Sequence, residues 1–274
     1  MGNNLDPIVF LLDLDGTMIG NIQPQIDEYY IIKEINKEIK RVGKDKQIKY
    51  NMKNLDIELQ NNIIRPKLAR FLKNVKKYEN IEIFIYTASI KSWANFLIPK
   101  IEKLVNYKFN RPILSREGYV NINNYPQIKS IEVVKPIIYK KLKTKYSLRN
   151  INELKYISLI DNTKNVLVEK NLLIKCPSYD YIYQIDYIRN IPKTIISKYY
   201  YIVEKYLDLK HSEHIYHFYR NYYEHINVRY NMYLNKNKIY VNDDYWNRFA
   251  IILKKYMGNI KSFSDLLKIL NKLK

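Results

Sequence analysis

The string F-L-L-D-L-D-G-T at positions 10–17 places two carboxylates, Asp13 and Asp15, directly behind an apolar run. Residues i and i+2 of a strand point to the same side, so both can face one cleft until the chain turns at Gly16. Two like charges that close repel each other, and they are tolerated only with a cation or a shared proton between them. Mg²⁺ suits such an all-oxygen site, because it takes one or two carboxylates, waters and the oxygens of a phosphate. The bland alternative is a polar loop whose Asp13 or Asp15 caps the next segment.

Three further pieces weigh against that alternative. Thr87 follows an apolar segment in I-Y-T-A-S, and its hydroxyl, with nearby backbone N–H groups such as that of Ala88, can hold a phosphate oxygen. Asp161 and Asn162 follow another in L-I-D-N-T and add oxygen ligands. Lys135-Pro136 opens a predicted helix that runs toward that last segment, and can bring an ammonium to the same place.

The elements that must position these groups alternate. Ile8–Leu12 is a short, continuously apolar run of the kind a buried parallel strand requires; Ile81–Tyr86 and Tyr156–Ile160, apolar but for Glu82 and Ser158, read as two more, with Leu172–Lys175 a shorter fourth. Helical periodicity lies between them, over 28–41, after Pro66, over 91–105 and over 136–146. Alternation around 48–52 and 55–59 suggests a hairpin flap. Strands separated by helices define an α/β domain with a parallel sheet. Ligands of such sheets bind at the carboxyl ends of the strands, where all the residues named above fall.

Taken together, the motifs resemble the haloacid-dehalogenase (HAD) superfamily of aspartate-nucleophile phosphatases over residues 8–175. The strings R-P-K-L-A-R-F-L at 65–72, I-Y-T-A-S at 85–89, L-S-R-E at 114–117 and I-D-N at 160–162 are most similar to the small RNA polymerase II C-terminal-domain phosphatases, also called NLI-interacting-factor-like. Gly16 stands where that branch usually has Glu, and Lys67 where it has Gly. The resemblance implies a HAD-like sheet with helices on both faces and no large cap. It implies that Asp13 is the nucleophile and Asp15 the general acid–base, whose backbone carbonyl also ligates Mg²⁺. Asp161 and Asn162 would complete the metal site, Thr87 and Ala88 would bind phosphate, and Arg116 would line a peptide groove. The motif lysine has two candidates. Lys135 fits the general superfamily pattern and is preferred; Lys145 fits the spacing of the C-terminal-domain branch.

Only 69 residues separate Thr17 from Thr87 and 47 separate Thr87 from Lys135, too few for a large lid, so the expected substrate is a side chain on a phosphoprotein. The chain has 47 Lys and Arg against 27 Asp and Glu, a net charge of +20, and 28 tyrosines. An AT-rich genome imposes this Lys-, Asn-, Ile- and Tyr-rich usage, but a basic surface also attracts nucleic acid. The alternatives are therefore a nucleic-acid 3′-phosphatase and a catalytically silent scaffold. No apolar run is long enough to span a bilayer, no secretory signal is evident and Cys176 is the one cysteine, which together indicate an intracellular protein, cytoplasmic or nuclear. The composition becomes helical and Tyr/Lys-rich near residue 185, suggesting a catalytic domain over 1–185 and a helical region over 186–274. There His211, His214, His217 and His225 form either a metal site or a polar helical face, and the tyrosines of 199–223 either pack as a layer or stack on bases.

Overall fold

The apolar runs become strands because each is buried from end to end. The computed structural model describes residues 6–43, 45–115, 119–122, 125–257 and 262–273. In chain order the elements begin with β1 (Ile8–Leu12), α1 (Gln23–Val42), α2 (Met52–Glu58), α3 (Leu68–Val75), β2 (Ile81–Tyr86) and α4 (Lys91–Val105). There follow β3 (Asn110–Leu114), β4 (Tyr119–Ile122), β5 (Tyr125–Lys129), α5 (Ile131–Leu142), β6 (Tyr156–Asp161) and β7 (Leu173–Lys175). The chain continues through α6 (Lys193–Leu207), α7 (Ile215–Tyr240), α8 (Tyr245–Met257) and α9 (Phe263–Leu270).

Five strands form one parallel sheet in the order β3-β2-β1-β6-β7. Leu12 of the central strand pairs with Ile85 on one side and Ile160 on the other, so Asp13, Tyr86 and Asp161 share the next rung. Alternation divides the sheet between two layers. Val9, Leu11, Phe84, Tyr86, Ile157 and Leu159 pack under Ile131, Val134, Ile138 and Leu142 of α5. On the opposite face Phe10 meets Phe249 of α8 edge-on at 5.7 Å, while Phe71 of α3 stacks on Trp246 at 4.7 Å. Asn271 closes the edge strand, donating to the Leu173 carbonyl and accepting from the Lys175 N–H.

Contacts divide the chain into two compact units, Met1–Gly20 with Ile64–Asp180 and Val241–Lys274, and Asn21–Ile63 with Tyr181–Tyr240. The boundary expected at residue 185 is therefore corrected. Helices α8 and α9 belong to the sheet unit because their aromatic residues cover its second face. The second unit is helical, with Ile31, Ile35 and Ile39 of α1 packed among Tyr199 and Val203 of α6 and Phe218 and Tyr222 of α7. Its tyrosines divide: Tyr199 and Tyr222 are buried, whereas Tyr216 and Tyr223 are exposed. His211 faces Glu204 at 3.8 Å, and the His214 and His217 rings lie 6.0 Å apart. Among the described residues no three His, Cys, Asp or Glu side chains gather where they could hold a metal ion.

One local expectation is also corrected. Residues 52–58 form helix α2 rather than half of a hairpin, with the Asn51 side chain accepting from the N–H groups of Lys53 and Asn54 as its N-cap. The antiparallel hairpin lies instead at β4–β5. No helix among the described residues is long and apolar enough to cross a membrane.

Candidate active site

The register of β1 and β6 sets Asp13 beside Asp161, with the Asp13 N–H donating 3.0 Å to the Ile160 carbonyl. Both carboxylates are buried, an arrangement that repulsion would open without a cation. That cation is Lys129. Its Nζ donates to Asp13 Oδ1 at 2.6 Å and to Asp161 Oδ2 at 2.7 Å.

Lys129, last residue of β5, is held from three directions. Its backbone pairs with the segment after β6, donating to the Val166 carbonyl at 2.7 Å and accepting from the Val168 N–H at 3.0 Å. Its ammonium lies 5.5 Å from the centre of the Tyr86 ring. Behind it, Glu169 caps α5 by accepting from the Ser130 hydroxyl at 2.7 Å and from the N–H groups of Ile131 and Glu132 at 3.0 and 3.3 Å. The lysine predicted from Lys135-Pro136 is thereby corrected. The helix starts at Ile131, Pro136 sits inside it, and Lys135 Nζ lies 3.6 Å from Glu132. Lys145 pairs with Glu82 at 2.5 Å, near the amino end of β2 and so away from the carboxyl ends of the strands. The signal for Lys129 was present in Ser130, a helix-capping residue type ahead of the spacing Ile131, Val134, Ile138, Leu142.

Asp15 lies half-buried on the turn after Asp13 and accepts from the Ser89 hydroxyl at 2.9 Å. The Ser89 N–H in turn donates to Thr87 Oγ1 at 3.1 Å, so the turn after β2 joins Thr87, half-buried Ala88 and Ser89 to the acid pair. Thr17 Oγ1 accepts from the Asn162 N–H at 3.1 Å, and the Asn162 amide donates to Ser178 Oγ at 3.0 Å. Gly16 has φ +75°, and a Cβ there would stand 2.4 Å from Asn162 Nδ2. Glycine at 16 thus lets Asn162 lie against the turn. Lys67 has φ +66°, a left-handed backbone conformation that glycine adopts at lower cost. Arg116 lies outside the described residues.

The electrostatics follow from burial. Desolvation pushes the Asp13 carboxyl up to about 7, against the opposing pull of the Lys129 ammonium, and neighbouring Asp161 and Asp15 push it further in the same direction. Burial also raises Asp15, while the Ser89 hydroxyl and Lys129 lower it. The site's donors are hard oxygens: the Asp13 and Asp161 carboxylates, the Asn162 amide and the main chain at Asp15. Such an open set fits a divalent cation that keeps waters and shares a substrate's phosphate.

A parallel sheet in this order, with acids from β1 and β6 and a lysine between them, is the frame of a HAD-type phosphatase. The model of the NLI interacting factor-like phosphatase family matches residues 8–191, and the chain belongs to that family of phosphatases. Two solved structures are similar at low identity. One, of Fcp1, an essential RNA polymerase II CTD phosphatase, is 18% identical with a TM-score of 0.36, covering 73% of this chain and 50% of its own. The other, of a variant of fission yeast Fcp1 bound to beryllium fluoride, is 15% identical with a TM-score of 0.43, covering 97% of this chain and 70% of its own. This chain thus spans half the length of the first. No curated protein sequence matches it.

Proposed function

We propose that the protein is a Mg²⁺-dependent phosphomonoesterase that hydrolyses phosphoserine or phosphothreonine on proteins through an aspartyl-phosphate at Asp13. The observation that carries this reading is the Lys129 ammonium held between Asp13 at 2.6 Å and Asp161 at 2.7 Å. A phosphate dianion repels an anionic nucleophile, and a fixed ammonium at that point offsets the repulsion as charge develops. Asp13, the Asp15 carbonyl, Asp161 and Asn162 would hold Mg²⁺, which supplies further neutralisation and orients the phosphate.

In this reading an Asp13 carboxylate oxygen forms a bond to phosphorus as the ester oxygen leaves, and Asp15 gives that oxygen its proton. Asp15 then takes a proton from the water that attacks the phospho-aspartate, releasing phosphate and free Asp13. The Ser89 hydroxyl keeps the Asp15 carboxyl turned toward this space. Thr87 and the backbone at Ala88 would bind the phosphate oxygens. The motif strings shared with C-terminal-domain phosphatases favour a protein substrate.

The test is turnover of a generic aryl phosphate with Mg²⁺. Asp13→Asn lowers the rate by at least about a thousandfold, since an amide oxygen is a poor nucleophile, equal to ~4 kcal/mol of barrier. EDTA silences the wild type and Mg²⁺ restores it. Full activity in Asp13→Asn, or indifference to EDTA, would remove the mechanism. A phosphopeptide compared with a 3′-phosphorylated oligonucleotide at two salt concentrations assigns the substrate class, because nucleic-acid affinity falls steeply with salt.

A further inference from the structure

Arg65 is one of the largest side chains buried in the protein, and it touches none of the acids at the strand ends. Its guanidinium forms a two-point pair with Asp243, Nε to Oδ1 at 3.0 Å and Nη2 to Oδ2 at 2.7 Å. The remaining nitrogen, Nη1, donates to the carbonyl of Pro177 at 2.9 Å and, more weakly, to that of Thr17 at 3.4 Å. Tyr245 and Tyr179 flank the guanidinium at 4.7 and 5.5 Å. The Arg65 N–H also donates to the Met18 carbonyl at 2.9 Å, so one residue grips the turn after Asp15 through both main chain and side chain.

The two carbonyls belong to segments that carry the site. Thr17 receives the Asn162 N–H on its hydroxyl. Pro177 follows Cys176, whose N–H donates to the Asp161 carbonyl at 3.0 Å and whose thiol reaches Thr17 Oγ1 at 3.6 Å. A planar guanidinium held at two points by a carboxylate can aim its third nitrogen in only one direction. Without Asp243 the buried cation would be uncompensated, and it would reorient toward other acceptors. We propose that Asp243, two residues ahead of α8, is a positioning residue for phosphoryl transfer, acting through Arg65 on the Gly16–Ile19 turn and on Asn162. The inference rests on the reading of the site given above and assigns a role in turnover to the C-terminal segment.

The experiment compares wild type with Asp243→Ala and the isosteric Asp243→Asn. Turnover of an aryl phosphate is expected to show kcat lowered at least tenfold in Asp243→Ala with KM changed less than twofold. Formate, filling the space of the lost carboxylate, should restore at least threefold in that variant and nothing in the wild type. Amide exchange supplies a readout independent of chemistry. The N–H groups of Asn162, Arg65 and Tyr179, the last bonded to the Gly16 carbonyl, should exchange at least tenfold faster in either variant. The Asp13 N–H and those of the central strand should not change. Wild-type kcat in a folded Asp243→Ala, or unchanged exchange at the three amides in Asp243→Asn, would overturn the proposal. An inactive wild-type protein would overturn the phosphatase mechanism instead, and the exchange pattern would still decide whether Asp243 orders the turn.

Discussion

The ammonium of Lys129 is almost fully shielded from solvent, with 1% of its side chain exposed, and its carboxylate partners are nearly as enclosed. Removing one member of such a buried set leaves the others uncompensated. Lys129→Met is therefore expected to lower turnover at least a hundredfold, about 3 kcal/mol of barrier, with both the ground-state geometry of Asp13 and its attack on phosphate impaired. Lys135→Ala and Lys145→Ala should stay within about tenfold of wild type. Steady-state rates of the three variants side by side check the assignment, and a silent Lys135→Ala beside an active Lys129→Met would reverse it. The difference in legibility among these residues has a physical cause. Asp13 and Asp15, Thr87, and Asp161 with Asn162 each stand at the end of a mostly apolar, buried strand, and a parallel sheet sends all such ends to one edge. Lys129 ends a hairpin strand whose sequence, Y-P-Q-I-K, carries no apolar run, so only the cap at Ser130 marked it.

Among the elements, α5 follows directly after Lys129, and its N-terminus depends on a residue from elsewhere in the chain. Burial works to raise the Glu169 carboxyl, but the N–H of Ile131, the Ser130 hydroxyl and further backbone N–H groups hold it below its ordinary range. A carboxylate whose folded pKa is depressed stabilises the fold above its unfolded value, and that contribution is lost as pH falls through the folded one. Glu169→Gln should cost about 1 kcal/mol at neutral pH, discounted for partial exposure, and the difference from wild type should shrink in acid. Urea unfolding of both proteins at pH 7 and pH 3 measures it; an equal gap at the two values would remove the charge from the account. The helices themselves were read more easily than their limits. Pro136 suggested a first turn and lies within the helix, while Leu55 and Leu59, four apart, are helical neighbours that alternation made look like a strand.

At the scale of the whole molecule, both units are built from segments far apart in sequence. The sheet unit takes its last layer from beyond residue 241 and the helical unit combines residues 21–63 with 181–240. A composition boundary follows codon usage and helicity, whereas folding units follow burial, which is why residue 185 looked like an end. A chain cut at 185 would lack Trp246 and Phe249 over Phe10 and Phe71, Asp243 for Arg65, and the α6 and α7 residues that pack on α1. That fragment is expected to unfold without a cooperative transition, and a single sharp calorimetric peak from it would contradict the division described. The central position of β1 bears also on how the protein is made. Ile8–Leu12 leaves the ribosome ahead of both its neighbours in the sheet, Ile81–Tyr86 and Tyr156–Asp161. At ~5–20 residues per second, roughly seven to thirty seconds pass before the second neighbour has been translated. During that interval the most apolar strand of the sheet has an unpaired edge, and a chaperone that shields it during synthesis would protect the nascent chain from aggregation.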